Sequence, residues 1–411
     1  VPGFGDEIDK RVCSQVIDTE YAVAKINQSA EMSEFDGIID LLDARRTDKD
    51  YEWMSDIRVP EFVTHVLTQA SMDVATYFRT RDYVEVYLED QSEEALLSAE
   101  AAAECINRTL NQRHLNYYLK FVRSRMINQL FGRCYAECNW NQKVVSEVYG
   151  YKEVPVEMDV DIHGHEITDR SVQVPQIEFQ QEELSVEVPT IDRFEFDMID
   201  PRNVFTDNSY SYTLQEKPFV IIRSEKTFED LKVDSDRCGY FNLDVLEETK
   251  SGSETETRRE TYDSGKSSQR PVLKQEQWFD VFKRYGKMWV IVQETDPDDG
   301  YPTKVKPGID TNGEIKPKAE YHECVVTVAK SSNKEVLIGF TPCPTVTAEG
   351  IPYRPIIRSL CYVHPVVDGG FGDGKHSKEL QTAIDDTFNI SMDRTKLATI
   401  PTLEGYDSQE F

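Results

Sequence analysis

Ile351-Pro352-Tyr353-Arg354-Pro355-Ile356-Ile357 opens a stretch that runs through Asp368-Gly369-Gly370-Phe371-Gly372-Asp373-Gly374-Lys375-His376 and closes at Pro401. It reads as three parts: a proline-flanked strand, a sharp glycine-rich turn and a helix. Glycine permits the turn because it lacks the Cβ that closes off most backbone conformations. A helix over Ser377 to Thr399 gathers Leu380, Ala383, Ile384, Thr387, Phe388 and Met392 on one face, and Pro401 ends it. Leu380, Ile384 and Phe388 are therefore expected to pack inward.

Working outward, the first 142 residues read as mostly helical. Apolar residues recur at helical spacing in Val59 to Phe78 and in one long pattern from Ser92 to Trp140. Ser92 followed by Glu93 and Glu94 suits a helix start, since a hydroxyl cap and first-turn acids complement exposed amides. From Val144 the pattern changes to short β-rich runs, Val144 to Tyr149, Val154 to Ile162, Ser171 to Phe179, Leu184 to Val188 and Phe194 to Ile199, which predict an antiparallel meander. Pro218 to Arg223 predicts a strand, followed by a helix at Thr227, where Thr227 and Asp230 have capping-box spacing. Trp278 to Phe282 and Met288 to Val292 flank Gly286 and predict a hairpin.

Residues 249–271 carry too little apolar surface to offset the entropy of ordering, so a mobile loop is expected there. No internal repeat is present. Helices, then strands, then one late helix predict an α+β fold and argue against a doubly wound sheet. The divisions are a helical part at 1–142, a β-rich part at 143–365, the turn and helix at 366–399, and a new segment from 400 to 411.

At 411 residues the chain can bury a substantial core. No apolar run approaches the roughly 18 residues needed to cross a bilayer, and no membrane partner is expected. The start, Val1-Pro2-Gly3-Phe4, has neither an initiator Met nor the layout of a secretory signal, so a trimmed N-terminus is expected. Eight cysteines are scattered, which fits a reducing compartment and buried thiols. A formal charge of -29 disfavours a protein that wraps nucleic acid by neutralising phosphates.

Four constellations could carry chemistry. Gly369 to Lys375 fits GxxxxGK, yet His376 stands where a phosphate loop needs Ser or Thr, and Asp368 and Asp373 bring the wrong charge. His163-Gly164-His165-Glu166 offers metal-ligand types but reads as a hairpin tip. Asp197, Asp200, Asp207 and Asn208 lack the alternating spacing of a calcium loop. Cys134 and Cys138 share a helical face if that segment is helical, but two thiols do not close a tetrahedral site. No GxSxG elbow or HExxH helix occurs, so neither catalysis nor a metal or cofactor is expected.

One stretch opposes the overall charge. Cys105 to Ala136 holds no acid but contains Arg108, Arg113, Lys120, Arg123, Arg125 and Arg133, interleaved with Tyr117, Tyr118, Phe121, Phe131 and Tyr135. Phosphate contact with base stacking is one use of such a pattern, and a helix's buried aromatic face is another. In so acidic a chain the preferred expectation is contact with an acidic neighbouring subunit through Arg113, Lys120, Arg123, Arg125 and Arg133.

Ile351 to Ile357, Gly370-Phe371-Gly372, Leu380 to Asn389 and Asp393, in that order, resemble the wing-to-stem passage of tailed-phage portal proteins. Phe196 to Phe205 resembles the Asp-Pro segment of portal wings, and Gly132 with Trp140 resembles the end of their helical lead-in. The resemblance spans most of residues 90–400 and rests on the order of short motifs. It implies a ring of identical subunits, usually twelve, at one capsid vertex of the virion, assembled in the host cytoplasm. Implied partners are the major capsid protein, the packaging terminase, tail or adaptor proteins and double-stranded DNA in the channel.

On that likeness Gly369, Gly370, Gly372 and Gly374 form the wing-to-stem turn, and Ser377 to Thr399 is the first stem helix. Lys378, Gln381, Asp385, Asp386, Asn389, Asp393 and Arg394 are its channel candidates. Val366 to Phe411 carries nine acids against four bases, and a wall of that sign limits adhesion to a moving polyanion. A complete portal continues through a clip, a second stem helix, a channel loop and a crown, so 400–411 is expected to be the start of the clip and a chain ending at Phe411 a fragment or a cleaved product. The alternatives are another virion or scaffold protein with a β-rich interaction domain, and a phosphate-binding enzyme using Gly369 to Lys375.

Overall fold

Acids at Asp6, Glu7 and Asp9 sit against the exposed amides of a helix start, and the chain then stays helical to Leu42. It does so as α1 (Asp6–Ser14), one π turn (Gln15–Tyr21) and α2 (Ala22–Leu42). The computed structural model describes residues 3–43, 54–80, 82–88, 92–160, 174–248, 278–295, 300–331, 334–347, 350–366 and 368–399. The expected mobile loop at 249–271, the His163 to Glu166 motif and the segment 400–411 lie outside the described residues.

Helices α3 (Glu61–Tyr77), α4 (Glu93–Leu110) and α5 (Tyr117–Phe131) complete the helical region. The Ser92 cap forms as expected, accepting from the Ala95 amide at 3.3 Å. The helical pattern read over Ser92 to Trp140 is two helices and stops before Arg133. Asn116 adopts the left-handed conformation, φ 48°, between α4 and α5, and Gly132, φ 79°, ends α5. Strand β1 (Arg133–Val160) therefore starts well before residue 142, and Cys134 and Cys138 lie on a strand, not on one helical face.

The expected five-run meander is instead two long strands, β1 and β2 (Val174–Ile199), paired with each other. Contacts divide the chain into two units, Val1–Cys138 with Phe196–Phe411, and Asn139–Glu195. The described residues of the second unit all belong to β1 and β2.

The first unit is built on a six-stranded antiparallel sheet of β3 (Val204–Thr206), β4 (Phe219–Thr227), β5 (Trp278–Thr295), β6 (Pro302–Pro307), β7 (Glu320–Ser331) and β8 (Lys334–Pro342). Between β4 and β5 lie α6 (Phe228–Cys238) and α7 (Leu243–Glu248). The capping box read from Thr227 and Asp230 is present, with both reciprocal hydrogen bonds.

Period-2 alternation assigns the faces of this sheet. Ile221, Phe282 and Val326 meet Val12 of α1 and Val16 and Ile17 of the π turn, while Val220, Tyr285 and Val325 meet Tyr135 and Ile356 on the other side. Both faces are covered, so the strands bury on both sides. Arg284 pierces the first face and is held by Glu20 of the π turn through two hydrogen bonds, 2.5 and 2.8 Å.

The hairpin expected at Gly286 is a correction. β5 runs straight through it, pairing Gly286 with Phe219 on one side and Cys324 on the other. A Cβ there would lie 2.7 Å from the Pro218 carbonyl oxygen, so the glycine answers a close backbone approach and not a turn.

Strand β9 (Ile356–Leu360) pairs antiparallel with the start of β1, Arg133 opposite Leu360. A short pair follows, β10 (Tyr362–Val363) with β11 (Gly370–Phe371), and the chain ends its described course in α8 (Asp373–Thr399). The fold is α+β with antiparallel sheets.

Candidate functional site

The glycine-rich passage crosses the end of α5 at backbone-to-backbone distance. A Cβ on Gly372 would collide with the carbonyl oxygen of Gln129, and one on Gly374 with that of Leu130. On the opposite side, Gly132 could not carry a Cβ without striking the Phe371 backbone. The Cys361 amide donates to the Gly132 carbonyl at 2.9 Å and closes the crossing. Gly370 adds to it, since its Cβ would lie 2.6 Å from the Gly132 oxygen. Gly370, Gly372 and Gly374 are thus committed to a contact within the chain, whereas Gly369 faces the Arg133 side chain. Lys375 pairs with Glu34 at 3.2 Å on the surface.

Asp368 anchors the start of this passage. Its carboxylate accepts from the fully buried ammonium of Lys217 at 2.8 Å and from Arg358 at 3.1 and 3.2 Å. Burial pushes this carboxyl upward, but Lys217 and Arg358 outweigh it and hold it below the ordinary carboxylate range. Lys217 spends its remaining donors on the Asp207 carbonyl, 2.9 Å, and that of Ser209. Asp207 is therefore part of this network, and Asp200 caps a turn at the Arg202 amide, 2.9 Å. Neither forms a calcium loop.

Helix α8 begins at Asp373, four residues before the expected Ser377. Its packing reverses expectation. Gln381 is 5% exposed and Asp385 7%, whereas Leu380 is 64% and Phe388 42% exposed. The face that packs is polar, and the correction has a specific cause.

Residues 55–62 run antiparallel along α8, and its side chains hydrogen-bond their backbone. The amides of Ser55, Ile57, Val59 and Phe62 donate to Asp393 (2.7 Å), Asn389 (2.8 Å), Asp385 (2.9 Å) and Gln381 (3.0 Å). Gln381 and Asn389 also donate back, to the carbonyls of Val59 (2.6 Å) and Ile57 (3.1 Å). The ladder works because two residues of extended chain advance about 6.6 Å and four residues of helix about 6.0 Å. The alternate amides of Ser55, Ile57 and Val59 therefore meet every fourth helix residue, and the Phe62 amide in the first turn of α3 meets the next.

Four of the seven channel candidates, Gln381, Asp385, Asn389 and Asp393, are thus occupied within the chain. Asp386 and Arg394 are exposed, and Lys378 is half-buried over Gly37. Of the six acids described between 368 and 393, Asp368, Asp373, Asp385 and Asp393 hydrogen-bond other parts of the chain, and Glu379 and Asp386 stay exposed. The acidic wall read from composition is accordingly much thinner on the described surface.

On the flank beside the strap, α8 and the start of α3 border a groove of about 980 Å³ lined by Val59, Phe62, Leu380, Ile384, Thr387 and Phe388. The apolar stripe seen in the sequence exists, but it faces outward.

The basic stretch divides. Lys120 binds Asp197 at 3.1 Å and sits 4.8 Å from the Phe196 ring centre, Arg125 binds Asp73 at 2.6 Å, and the buried Arg133 binds Glu31 at 2.5 Å. Arg113 and Arg123 are exposed, with no acid partner among the described residues. Tyr117 and Phe121 join Phe78 in an aromatic cluster, with ring centres 5.1 to 5.6 Å from that of Phe78, so these rings serve packing.

Burial pushes the Cys134 thiol up to about 12 and raises that of Cys138. Among the described residues no group of three or more His, Cys, Asp or Glu side chains is placed to hold a metal. No described helix is long and apolar enough to cross a membrane. The chain matches no protein-family model, and no curated protein is significantly similar to it.

Proposed function

We propose that this chain is a portal-type ring subunit, a non-enzymatic conduit for double-stranded DNA at a capsid vertex. The observation that carries the reading is α8, which buries Gln381 and Asp385 while leaving Leu380 and Phe388 exposed, with Ile384 half-buried between them in the groove. A helix that exposes its apolar flank is suited to being covered by a neighbour, and identical copies repeating one heterologous contact must close into a ring or extend as a filament. The order of the wing-like and stem-like motifs supports the same reading. ATP hydrolysis would then belong to a docked packaging motor, and the capsid, terminase and tail or adaptor proteins would be the other partners. With four polar side chains spent on the strap, Lys378, Asp386 and Arg394 remain as channel candidates.

Particle imaging and mass photometry of the intact protein test this. Rings of a fixed subunit number are expected, and Leu380→Glu with Phe388→Glu should give folded monomers. A wild-type protein that stays monomeric at micromolar concentration overturns the reading.

A further inference from the structure

The strap is attached to α8 by side-chain-to-backbone hydrogen bonds without buried apolar residues of its own. None of residues 55–60 is buried, and Ile57 is exposed. Its attachment is polar: the three backbone amides of Ser55, Ile57 and Val59 on Asp393, Asn389 and Asp385, the two returning side-chain amide groups of Gln381 and Asn389, and Lys396 donating to the Ser55 hydroxyl at 2.6 Å. The first buried apolar anchor after it is Phe62, already inside α3.

A second segment shows the contrast. Asn107 of α4 grips Tyr83 and Val84 in the same manner, accepting from both amides (2.8 and 3.0 Å) and donating to the Val84 carbonyl (2.9 Å). There, however, the Tyr83 ring also packs on Phe78 and Tyr117, with centres 5.2 and 5.4 Å apart. That segment is bolted by aromatic packing, and the 55–60 strap is not.

We infer that residues 55–60 form a releasable latch whose docking holds the polar face of α8 inward and thereby helps to keep Leu380 and Phe388 turned outward. Segments with few buried apolar contacts and exposed hydrogen bonds open at a small fraction of the global unfolding free energy. Opening here frees a row of amide and carboxylate groups matched to extended backbone and removes one of the contacts that fix the roll of the helix, the crossing of Gly374 on α5 being another. The latch is a property of one chain. What the outward flank meets rests on the neighbouring-subunit reading above.

Hydrogen–deuterium exchange on the intact protein, followed by mass spectrometry across a low-denaturant series, tests the latch. In the wild type, the amides of Ser55, Ile57 and Val59 are expected to exchange together through a denaturant-insensitive local opening while the α8 backbone stays protected. Asn389→Ala and Gln381→Ala should each speed strap exchange about five- to tenfold, the factor that one or two net hydrogen bonds supply. Asp386→Asn, on the exposed side of the helix, should leave it unchanged.

Strap amides that exchange only with global unfolding, or that ignore both ladder substitutions, overturn the inference. The wild-type series decides the matter alone if a variant fails to fold. Ring formation measured on the same samples separates the two ideas: an opening latch without rings removes only the neighbouring-subunit reading.

Discussion

Asp368 was read in the sequence as a charge that spoils a phosphate loop. Its function in the fold is to neutralise Lys217, whose ammonium has no solvent access, together with Arg358. Breaking a buried pair strands the other charge, so Asp368→Asn should cost about 3 kcal/mol at neutral pH. The depressed carboxyl contributes stability above its unfolded value near pH 4 and loses it as pH falls through the lower folded value. Urea midpoints of wild type and Asp368→Asn should therefore converge on acidification, whereas a constant gap down to pH 2 would deny the carboxylate this part.

Gly372 makes a separate point at the same scale. Gly372→Ala sets a methyl against the Gln129 carbonyl where neither backbone has room, and should destabilise by about 3 kcal/mol in thermal or urea unfolding.

Among elements, β5 and α8 show where local pattern misleads. Two β-branched and aromatic runs around a glycine fit a hairpin and a through-strand equally well. The choice lay with Phe219 and Cys324, the strand neighbours on either side of Gly286. Because the site is a close approach, Gly286→Ala should cost about 1–3 kcal/mol by urea titration, where a solvent-exposed turn glycine would tolerate alanine far better. Helix α8 misled through its apolar stripe. Periodicity identified the stripe, but the partner of the polar face lies 319 to 338 residues away in sequence, beyond any local signal. By contrast the Thr227 capping box was legible, since its donors and acceptors are all within four residues.

For the whole molecule, the charge opposition survives in reduced form. Lys120, Arg125 and Arg133 hold the chain to itself, which leaves Arg113 and Arg123 as the basic residues from that interface set with no acid partner among the described residues. If they meet an acidic neighbour, Arg113→Glu with Arg123→Glu should weaken ring assembly at low salt and leave the monomer's unfolding free energy within about 0.5 kcal/mol of wild type. Mass photometry against ionic strength reads this, and rings of unchanged salt dependence would assign those arginines to solvent.

The order of helices, strands and late helix, the Ser92 and Thr227 caps and the α+β class were determined by the sequence itself, because periodicity and capping act over a few residues. The glycines between 369 and 374 also announced an unusual backbone there. Which backbone they touch, which face of α8 is buried, and which acids and arginines are already paired were decided by tertiary structure alone. Those outcomes depend on contacts such as Gly372 with Gln129, Asp368 with Lys217 and Asn389 with Ile57. Segments far apart in the chain meet there, and each side chain's role follows from its partner.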